Sequence, residues 1–283
     1  MQTKTRILAL MAPPSVWLLL FFLLPLAIML SFTFREGTFA GLFPITLRHY
    51  QTLTSSPGFL NLLIDSTGLS LLTALFSIVL AYPVAYYLVF YAGAHRVTLF
   101  TILLLPAWTS FLLRVLAWKL ILGSNGVLNQ VLDSLGLITE SSPIFLYSKT
   151  AVLITLVYVW IPFAALPLFA AMERIDPRLL EAAQDLGAPP RQSFWRVTFP
   201  LTLPGVAAAF FFVFIPTLGE WVTPALVGGV NGVMYGNLIQ DQFTRALNWP
   251  LGALLSMVLL VLIAVFSYVF NKFIPITEVP VSA

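Results

Sequence analysis

The charged side chains of this sequence are few, and a large share of them lie in one short stretch, residues 173–202. Only 9% of the 283 residues are charged, yet this stretch carries eight charged side chains. They are Glu173, Arg174, Asp176, Arg178, Glu181, Asp185, Arg191 and Arg196. Guanidinium and carboxylate groups at this density can form charge-assisted hydrogen bonds with another protein. Residues 173–202 are therefore the first place to look for function.

Side chains for bond-making chemistry are not grouped anywhere in the sequence. The absence of cysteine excludes a disulfide, a thiolate metal site and a cysteine nucleophile. The two histidines, His49 and His95, belong to no zinc-binding H-E-x-x-H motif, and no serine nucleophile elbow is present. We therefore expect a protein that is not an enzyme and holds no metal.

The spacing of residues within 173–202 predicts a helical hairpin. Asp176 followed by Pro177 is typical of an N-cap and the first helical position. The apolar residues that follow recur at helical spacing; they are Leu179, Leu180, Ala183 and Leu186. Gly187 is expected to end this helix with a positive φ. A second short helix is expected to begin at Pro190 and to stop before Pro200.

Two interpretations of the first hairpin helix remain open. The small pair Ala182 and Ala183 lets a helix approach another surface closely, and Glu181 can accept hydrogen bonds from a partner. These features are typical of a helix that lies in a groove of another protein. The alternative is an amphipathic helix that lies on the lipid surface.

The composition predicts the elements that carry this hairpin. Hydrophobic residues make up 59% of the chain, against about 45–50% in a soluble domain, which excludes both a soluble globule and a disordered chain. A helical span needs about 20 apolar residues, and six such runs are found. They lie at 15–34, within 62–91 with a kink at Pro83, at 97–122, at 150–172 with breaks at Pro162 and Pro167, at 203–219 and at 251–270. The first run is expected to begin at Pro13 and Pro14 and to be a retained helix, because it is too long for a signal peptide.

Positive charge sets the predicted orientation, because cytoplasmic loops are rich in lysine and arginine. Eight cations are cytoplasmic if the N-terminus is inside: Lys4, Arg6, Arg96, Arg174, Arg178, Arg191, Arg196 and Lys272. Four are then outside: Arg35, Arg48, Lys149 and Arg245. We therefore predict an all-α polytopic membrane protein with both termini inside. Its parts are a tail at 1–12, a membrane domain at 13–272 and a second tail at 273–283.

A glycine-rich stretch, residues 221–250, follows the fifth run on the predicted outer side. Its glycines are Gly228, Gly229, Gly232 and Gly236. We expect this region to dip toward the membrane and to end in a short surface helix at 237–247.

The string EAAQDLGAPPRQSFWRVTFP resembles the EAA loop of permease subunits of binding-protein-dependent ABC importers. That family's pattern is Glu-Ala-Ala, three residues, Gly, nine residues, Ile, one residue and Leu-Pro. The matching positions here are Glu181, Ala182, Ala183, Gly187 and Pro200, with Val197 and Phe199 in place of Ile and Leu. The resemblance implies the type I importer permease (MetI-like) fold, in which the last five spans form the core and the first wraps a partner.

The same resemblance implies the partners. The first hairpin helix would dock on a separate ATP-binding subunit, which is consistent with the absence of a G-x-x-x-x-G-K-[ST] phosphate loop in this chain. ATP and magnesium would thus bind the partner, and this chain would bind no cofactor. Two ATP-binding subunits, a second related permease and an extracytoplasmic substrate-binding protein are expected, in the bacterial inner membrane and without nucleic acid. The residues expected to couple to the ATPase are Arg178, Glu181, Ala182, Ala183, Asp185, Gly187 and Pro200.

Further strings are similar to the spermidine/putrescine branch of these permeases, in particular to its first-type subunit. They are LLPAWTSFLLRVLAWKLIL, GVLNQVLDSLGLI and FIPTLGEWVTPALVGG. Relatives of that branch carry other small amines, so a different amine or an amino-acid-like solute remains an alternative. A secondary transporter driven by an ion gradient is a further alternative, although no internal repeat is visible.

A polyamine site would need carboxylates and aromatic faces, because its ammonium groups form ion pairs and cation–π contacts. The candidate path residues are Glu220, Trp221, Trp108, Tyr235, Asp65 and Asp241. Each has a structural alternative. Glu220 could pair with Arg114, Asp65 could belong to a helix end, and Asp241 could belong to a solvated face.

Two cations, Arg114 and Lys119, lie within the third apolar run. A cation at the centre of a membrane helix costs about 2.5–3.5 kcal/mol on insertion scales. Lys119 can extend toward the outer interface. Arg114 is expected to pair with a carboxylate on a neighbouring span or subunit, and neither cation favours a cationic substrate by itself.

Overall fold

The chain is almost entirely helical in the computed structural model, which describes residues 2–36, 44–137 and 146–273. Six helical stretches within these ranges are long and apolar enough to cross a membrane. They are Leu10–Phe32, Pro57–Phe90, Phe111–Ser134, Lys149–Glu173, Pro190–Leu218 and Trp249–Phe270. The predicted six-span helical class is therefore confirmed, while the orientation in the membrane stays a prediction.

Thirteen α-helices make up the described ranges. They are α1 (Gln2–Leu18), α2 (Leu24–Phe32), α3 (Arg48–Ser55), α4 (Pro57–Phe90), α5 (Arg96–Trp108), α6 (Phe111–Leu122), α7 (Val127–Ser134), α8 (Lys149–Glu173), α9 (Pro177–Asp185), α10 (Pro190–Ser193), α11 (Phe199–Leu218), α12 (Tyr235–Thr244) and α13 (Trp249–Phe273). The same ranges contain π-helical turns at Leu19–Leu23, Phe194–Thr198 and Pro224–Gly228. Such turns are frequent at functional sites.

The helices fall into two compact units, and the larger one comprises 61–237 and 263–283. Its centre is the packing of α8 against α11. Gly205 of α11 permits this contact, because a Cβ there would lie 2.3 Å from the Cβ of Ala171 and 2.9 Å from the carbonyl oxygen of Pro167. Membrane helices approach this closely where their interface residues are small. The two helices that border the 173–202 loop are therefore packed directly on each other.

The predicted third run covers two helices, α5 and α6, that follow α8 along its length, whereas the third membrane-length stretch, Phe111–Ser134, begins with α6. Arg96 pairs with Glu173 at one end, at 3.2 Å, and the Phe100 ring stacks on Phe169. Trp118 contacts Tyr158 further along. Between the two helices, Thr109 and Ser110 are extended, with ψ values of 157° and 130°. The predicted run at 97–122 is therefore present, but it is interrupted in its middle.

Several predicted proline effects were wrong. Pro13 and Pro14 lie inside α1 and do not begin it, and α8 continues through Pro162 and Pro167. A proline in a membrane helix is tolerated where neighbouring groups satisfy the freed carbonyl groups. Much of α8 is buried, Pro162 included, and its neighbours hold the helical path.

The second half of the predicted hairpin also differs from expectation. A helix begins at Pro190 as predicted, but it does not stop before Pro200. It passes through the π-turn Phe194–Thr198 into α11, with Pro200 in the first turn of that helix. Proline is compatible with a first helical turn, because the N–H it lacks would have no partner there. The loop is thus continuous with the fifth span.

The smaller unit comprises 1–60 and 238–262. The window of the first span has no buried residue. After this span the hydroxyl groups of Thr33 and Tyr50 are hydrogen-bonded at 2.9 Å. In the other segment, the ring of Phe243 packs at right angles on Trp249. The role of this span in wrapping a partner stays a prediction.

Candidate functional site

The inner loop, defined as residues 173–202, begins with a capped helix. The Oδ1 atom of Asp176 accepts a hydrogen bond from the Arg178 N–H at 3.0 Å. At the other end Gly187 has a φ of +77°, and the Ala188 N–H donates to the carbonyl oxygen of Ala183 at 3.0 Å. This pairing is typical of a glycine helix end. The predicted cap at Asp176 and stop at Gly187 are confirmed.

Most of the side chains of α9 face solvent. Those of Arg178, Glu181, Ala182, Gln184 and Asp185 are exposed, and Ala183 is half-buried. Leu179 is 48% exposed and Leu186 is 88% exposed. No ion pair among the described residues involves Glu181, and a helix with exposed leucines and free charges is suited to contact with another surface.

An aromatic cluster attaches the inner loop to α4. We call it the aromatic anchor, and it consists of Tyr82, Tyr86, Phe194, Trp195 and Phe199. Phe194 packs edge-on against Tyr82 and Tyr86, with ring centroids 5.8 Å apart in both pairs. The Tyr82 hydroxyl is also hydrogen-bonded to Oγ1 of Thr202, at 2.9 Å. The aromatic anchor and the Tyr82–Thr202 hydrogen bond therefore link the inner loop directly to the second span.

A groove of about 510 Å³ lies at the root of the inner loop, between α8, α9 and α11. Arg174, Asp176 and Leu179 line it from the loop side, and Gly205 lines it from α11. Helix α9 therefore begins beside this groove and does not rest on a filled core. This leaves room for α9 to move relative to the two spans.

The outer segment, defined as residues 219–236, is built in a different way. The Oε1 atom of Glu220 accepts hydrogen bonds from the N–H groups of Val222 at 2.8 Å and Thr223 at 3.2 Å. Burial raises the pKa of Glu220, which lies two residues beyond the end of α11, and these backbone N–H groups oppose that rise. Glu220 is thus an N-terminal cap for the helical turn that follows it.

Close contacts to glycine fix the rest of the outer segment. Gly229 has a φ of +58°, and a Cβ there would lie 2.6 Å from the Cβ of Tyr147. A Cβ on Gly236 would lie 2.5 Å from the carbonyl oxygen of Glu220. The Tyr147 N–H donates to the carbonyl oxygen of Val227 at 2.8 Å. The segment therefore folds back against its own backbone and the start of the fourth span.

The structure separates the candidate path residues into two groups. Trp108 is 72% exposed at the end of α5, and Trp221 is 45% exposed. The others have structural partners or are buried. Asp65 pairs with Lys149 at 2.6 Å, Asp241 pairs with Arg245 one helical turn away, and the Tyr235 side chain is fully buried. These six residues do not form one cluster of described contacts, and their role in a path stays a prediction.

The two cations of the third span also behave differently. Lys119 Nζ lies 5.9 Å from the centroid of the Tyr147 ring, which agrees with its predicted outward extension. The Nη1 atom of Arg114 donates a long hydrogen bond of 3.4 Å to the carbonyl oxygen of Val159. No ion pair of Arg114 occurs within 2–36, 44–137 and 146–273. The expected carboxylate is therefore not supplied by the described spans, and neither is a pair with Glu220.

Three structurally important residues were missed by sequence reasoning. Tyr82 and Thr202 meet across α4 and α11, and Gly205 seats α11 on α8. The sequence contains a weak signal for Gly205, because glycine is unfavourable inside a helix unless it permits a close approach. It contains no signal for the Tyr82–Thr202 contact, because these residues are 120 positions apart.

Comparison with known proteins identifies what this arrangement resembles. Residues 4–274 match the family described as "Binding-protein-dependent transport system inner membrane component". The "Spermidine/putrescine transport system permease protein PotB" of Haemophilus influenzae is 37% identical over 90% of this chain and 90% of that protein. A "Putative 2-aminoethylphosphonate transport system permease protein PhnU" of Salmonella typhi is 30% identical over 77% of each chain.

Solved structures show the same architecture. The "bacterial alginate ABC transporter in complex with alginate pentasaccharide-bound periplasmic protein" includes a chain with a TM-score of 0.73, which matches 98% of this chain and 96% of its own length. The sequence identity is 22%, so this likeness concerns the fold. The importer-permease fold that the EAA-like string implied is confirmed.

Proposed function

Because this chain belongs to the family of inner membrane components of binding-protein-dependent transport systems, we propose that it is the first-type permease of an ATP-driven polyamine importer. Its substrates would be spermidine and putrescine, and it would sit in the bacterial inner membrane. The observation that carries the substrate class is the 37% identity to a spermidine/putrescine permease, which extends over 90% of both chains. The chain contributes a conduit and a coupling helix, and it is a transport subunit.

The geometry of the inner loop supports ATP-driven coupling. Helix α9 is capped at both ends, exposes most of its side chains and lies over a groove. A cap and a glycine end give a short helix a defined shape in the absence of a partner. A separate ATP-binding subunit would receive this helix in a cleft, as the EAA-like string implies. Two copies of that subunit would serve this chain and a second, related permease.

The proposed mechanism is alternating access driven from the inner loop. A loaded extracytoplasmic binding protein docks outside, and ATP binding closes the two ATP-binding subunits. The closure moves α9, and the aromatic anchor and the α8–α11 contact transmit that motion to the second, fourth and fifth spans. Hydrolysis returns the spans to the inward-open state.

The candidate path residues in this mechanism are Glu220, Trp221 and Trp108. Trp108 ends α5 beside the extended residues Thr109 and Ser110, and Trp221 follows the end of α11. Both indole rings are exposed in this chain and could receive an ammonium group by cation–π contact. Tyr235, Asp65 and Asp241 are weaker candidates, because each is buried or has an ion-pair partner.

A second substrate class, a small amine that also carries an anionic group, is favoured by one observation. Arg114 and Lys119 place two cations in the third span, and a 30% identical relative is named for 2-aminoethylphosphonate transport. A zwitterion could approach these cations, whereas a polyamine gains nothing from them. Uptake assays must therefore include both classes.

The test is a reconstituted complex of this chain with the second permease, the ATP-binding subunit and the binding protein. Spermidine or putrescine should stimulate ATP hydrolysis and should accumulate inside vesicles as radiolabelled solute. An aminophosphonate and an amino acid serve as competitors. Stimulation by either competitor alone would contradict the polyamine assignment, and uptake that follows an ion gradient without ATP would contradict the importer assignment.

A further inference from the structure

Arg114 is a buried cation without a carboxylate among the described residues. Its exposed fraction is 8%, and its only described side-chain hydrogen bond is the 3.4 Å contact from Nη1 to the Val159 carbonyl oxygen. The guanidinium carbon also lies 5.9 Å from the centroid of the Phe111 ring. An unpaired buried charge is strongly unfavourable, so such groups in membranes pair with one another, with backbone carbonyl groups or with a ligand. The single long hydrogen bond to Val159 leaves the Nε atom of Arg114 without a partner among the described residues. No acid among the described residues therefore provides a counter-charge for Arg114.

The contact with Val159 fixes the depth of the guanidinium group. Val159 lies ten residues from Lys149 and fourteen from Glu173, the two ends of α8. At 1.5 Å per residue, these separations are about 15 Å and about 21 Å. The guanidinium is thus near the middle of the span, whereas Lys119 lies near the outer end beside Tyr147.

The surroundings of Arg114 add to the positive potential. A cavity of about 380 Å³ is lined by Arg114 together with Thr109, Leu113, Trp118 and Tyr158, among others. The helix α6 begins at the same place, after the extended residue Ser110, whose side chain makes no cap hydrogen bond. The positive end of a helix dipole therefore coincides with a buried guanidinium. A group that fills this cavity is therefore expected to carry a negative charge.

We infer that the cavity beside Arg114 receives an aspartate or glutamate carboxylate from a membrane span of the second permease. This inference rests on the proposed function, because it requires that partner. A lipid phosphate is disfavoured by depth, since the nearer end of α8 is about 15 Å away. A polyamine is disfavoured by charge.

A second copy of this chain could not supply the carboxylate from its described spans. These spans contain three acids: Asp65 pairs with the first residue of α8, Asp133 lies one residue before the end of the stretch Phe111–Ser134, and Glu173 is the last residue of α8. Glu220 lies beyond α11 and caps the next turn. The cavity therefore favours a different permease over a homodimer, and it places a charge pair at the interface of the two.

The test uses the assembled complex and neutralises each charge in turn. Arg114→Leu should lower the amount of second permease recovered with this chain by at least about tenfold, because it strands a buried carboxylate. The matched control is Lys119→Leu, a cation of the same helix outside the cavity, which should change recovery by less than about twofold. Neutralising the correct acid of the second permease in the Arg114→Leu background should restore recovery to within about threefold of the wild-type complex.

A crosslinking measurement decides the matter if Arg114→Leu fails to insert. The chain contains no cysteine, so Leu113→Cys can be combined with single cysteines beside each acid in the spans of the second permease. We expect one strong crosslink from Leu113→Cys and none to that cysteine from Leu105→Cys, which lies on α5 outside the cavity.

The outcomes separate this inference from the proposed function. Three results would overturn only the charge-pair inference while the two permeases still assemble. These are that Arg114→Leu has no effect on recovery, that no acid substitution in the second permease restores it, or that Leu113→Cys crosslinks to a second copy of this chain. Loss of a bound anionic lipid in Arg114→Leu with assembly intact also overturns it. If the wild-type chain does not assemble with a second permease at all, the proposed function fails and the inference fails with it.

Discussion

The inner loop and the outer segment border the same span, α11, but they differ in how much of their surface is already covered by their own contacts. In the inner loop, α9 exposes Glu181 and Asp185, and Leu186 directly after it is also exposed. In the outer segment, Glu220 caps the adjacent turn, and Gly229 and Gly236 let the backbone fold onto itself. One region leaves its side chains uncovered, and the other provides its own partners.

This difference indicates which region can gain stabilising contacts when another subunit binds. A surface that is exposed in the isolated chain gains contacts when another subunit covers it, and the gain can differ between two states of the complex. A segment whose polar groups are already satisfied gains less and instead defines a fixed shape. The inner loop is suited to receive motion, and the outer segment is suited to position groups along a path.

The largest effect is expected at the inner loop from Glu181→Lys. Reversing this exposed charge should reduce substrate-stimulated ATP hydrolysis and uptake by roughly 5–150-fold, the range of a coupling free energy of about 1–3 kcal/mol. The amount of inserted chain should not change, because Glu181 has no ion-pair partner in the described residues. Asp133→Lys, an exposed reversal on the predicted outer side, is the control. Equal uptake by the two variants would remove Glu181 from the coupling surface.

A substitution in the outer segment should lower the stability of the protein. Gly236→Ala tests this expectation. The added Cβ would lie 2.5 Å from two backbone carbonyl oxygens, and such overpacking costs about 1–3 kcal/mol. The matched control is Gly68→Ala in α4, where a Cβ meets nothing within 4 Å. Thermal or denaturant unfolding of the purified complexes measures both variants. Equal stability would show that the outer segment is not rigid, and the contrast with the inner loop would weaken.

Two substitutions of Glu220 distinguish its cap hydrogen bonds from a contact between its charge and the substrate. Glu220→Gln keeps an oxygen for the N–H groups of Val222 and Thr223 but removes the charge. If the charge contacts substrate, we expect uptake to fall about tenfold, which corresponds to about 1.4 kcal/mol, with little change in stability. Glu220→Ala should also destabilise the outer segment by about 0.5–2 kcal/mol through loss of the cap. Normal uptake kinetics in Glu220→Gln would leave Glu220 with the cap alone.

The smallest effect is expected from the link between the inner loop and α4. Tyr82→Phe removes the hydrogen bond to Thr202, which should cost about 0.5–1.5 kcal/mol, and should lower the ATP-driven uptake rate by a few-fold. Tyr87→Phe removes a hydroxyl from an exposed tyrosine of the same helix and should be neutral. The two variants are compared by uptake at equal protein levels. A larger loss in Tyr87→Phe would contradict transmission through the aromatic anchor.

Local patterns predicted the ends of α9 correctly, because caps act over three or four residues. Asp176 and Gly187 lie where their side chain and backbone preferences placed them. Prolines misled the prediction at Pro162, Pro167 and Pro200, because their effect depends on neighbouring helices. The extended break at Thr109 and Ser110 was likewise not predicted within the run 97–122.

The sequence by itself determined the six apolar spans, the capped helix α9 and the family, because hydropathy and a spaced local motif are properties of short stretches of chain. Tertiary structure alone decided that Glu220 caps a turn, that Asp65 meets Lys149 and that Arg114 has no carboxylate partner among the described residues. Each of these depends on which residues, far apart in the sequence, are brought within a few ångströms. That proximity is set by helix packing, and no local pattern encodes it.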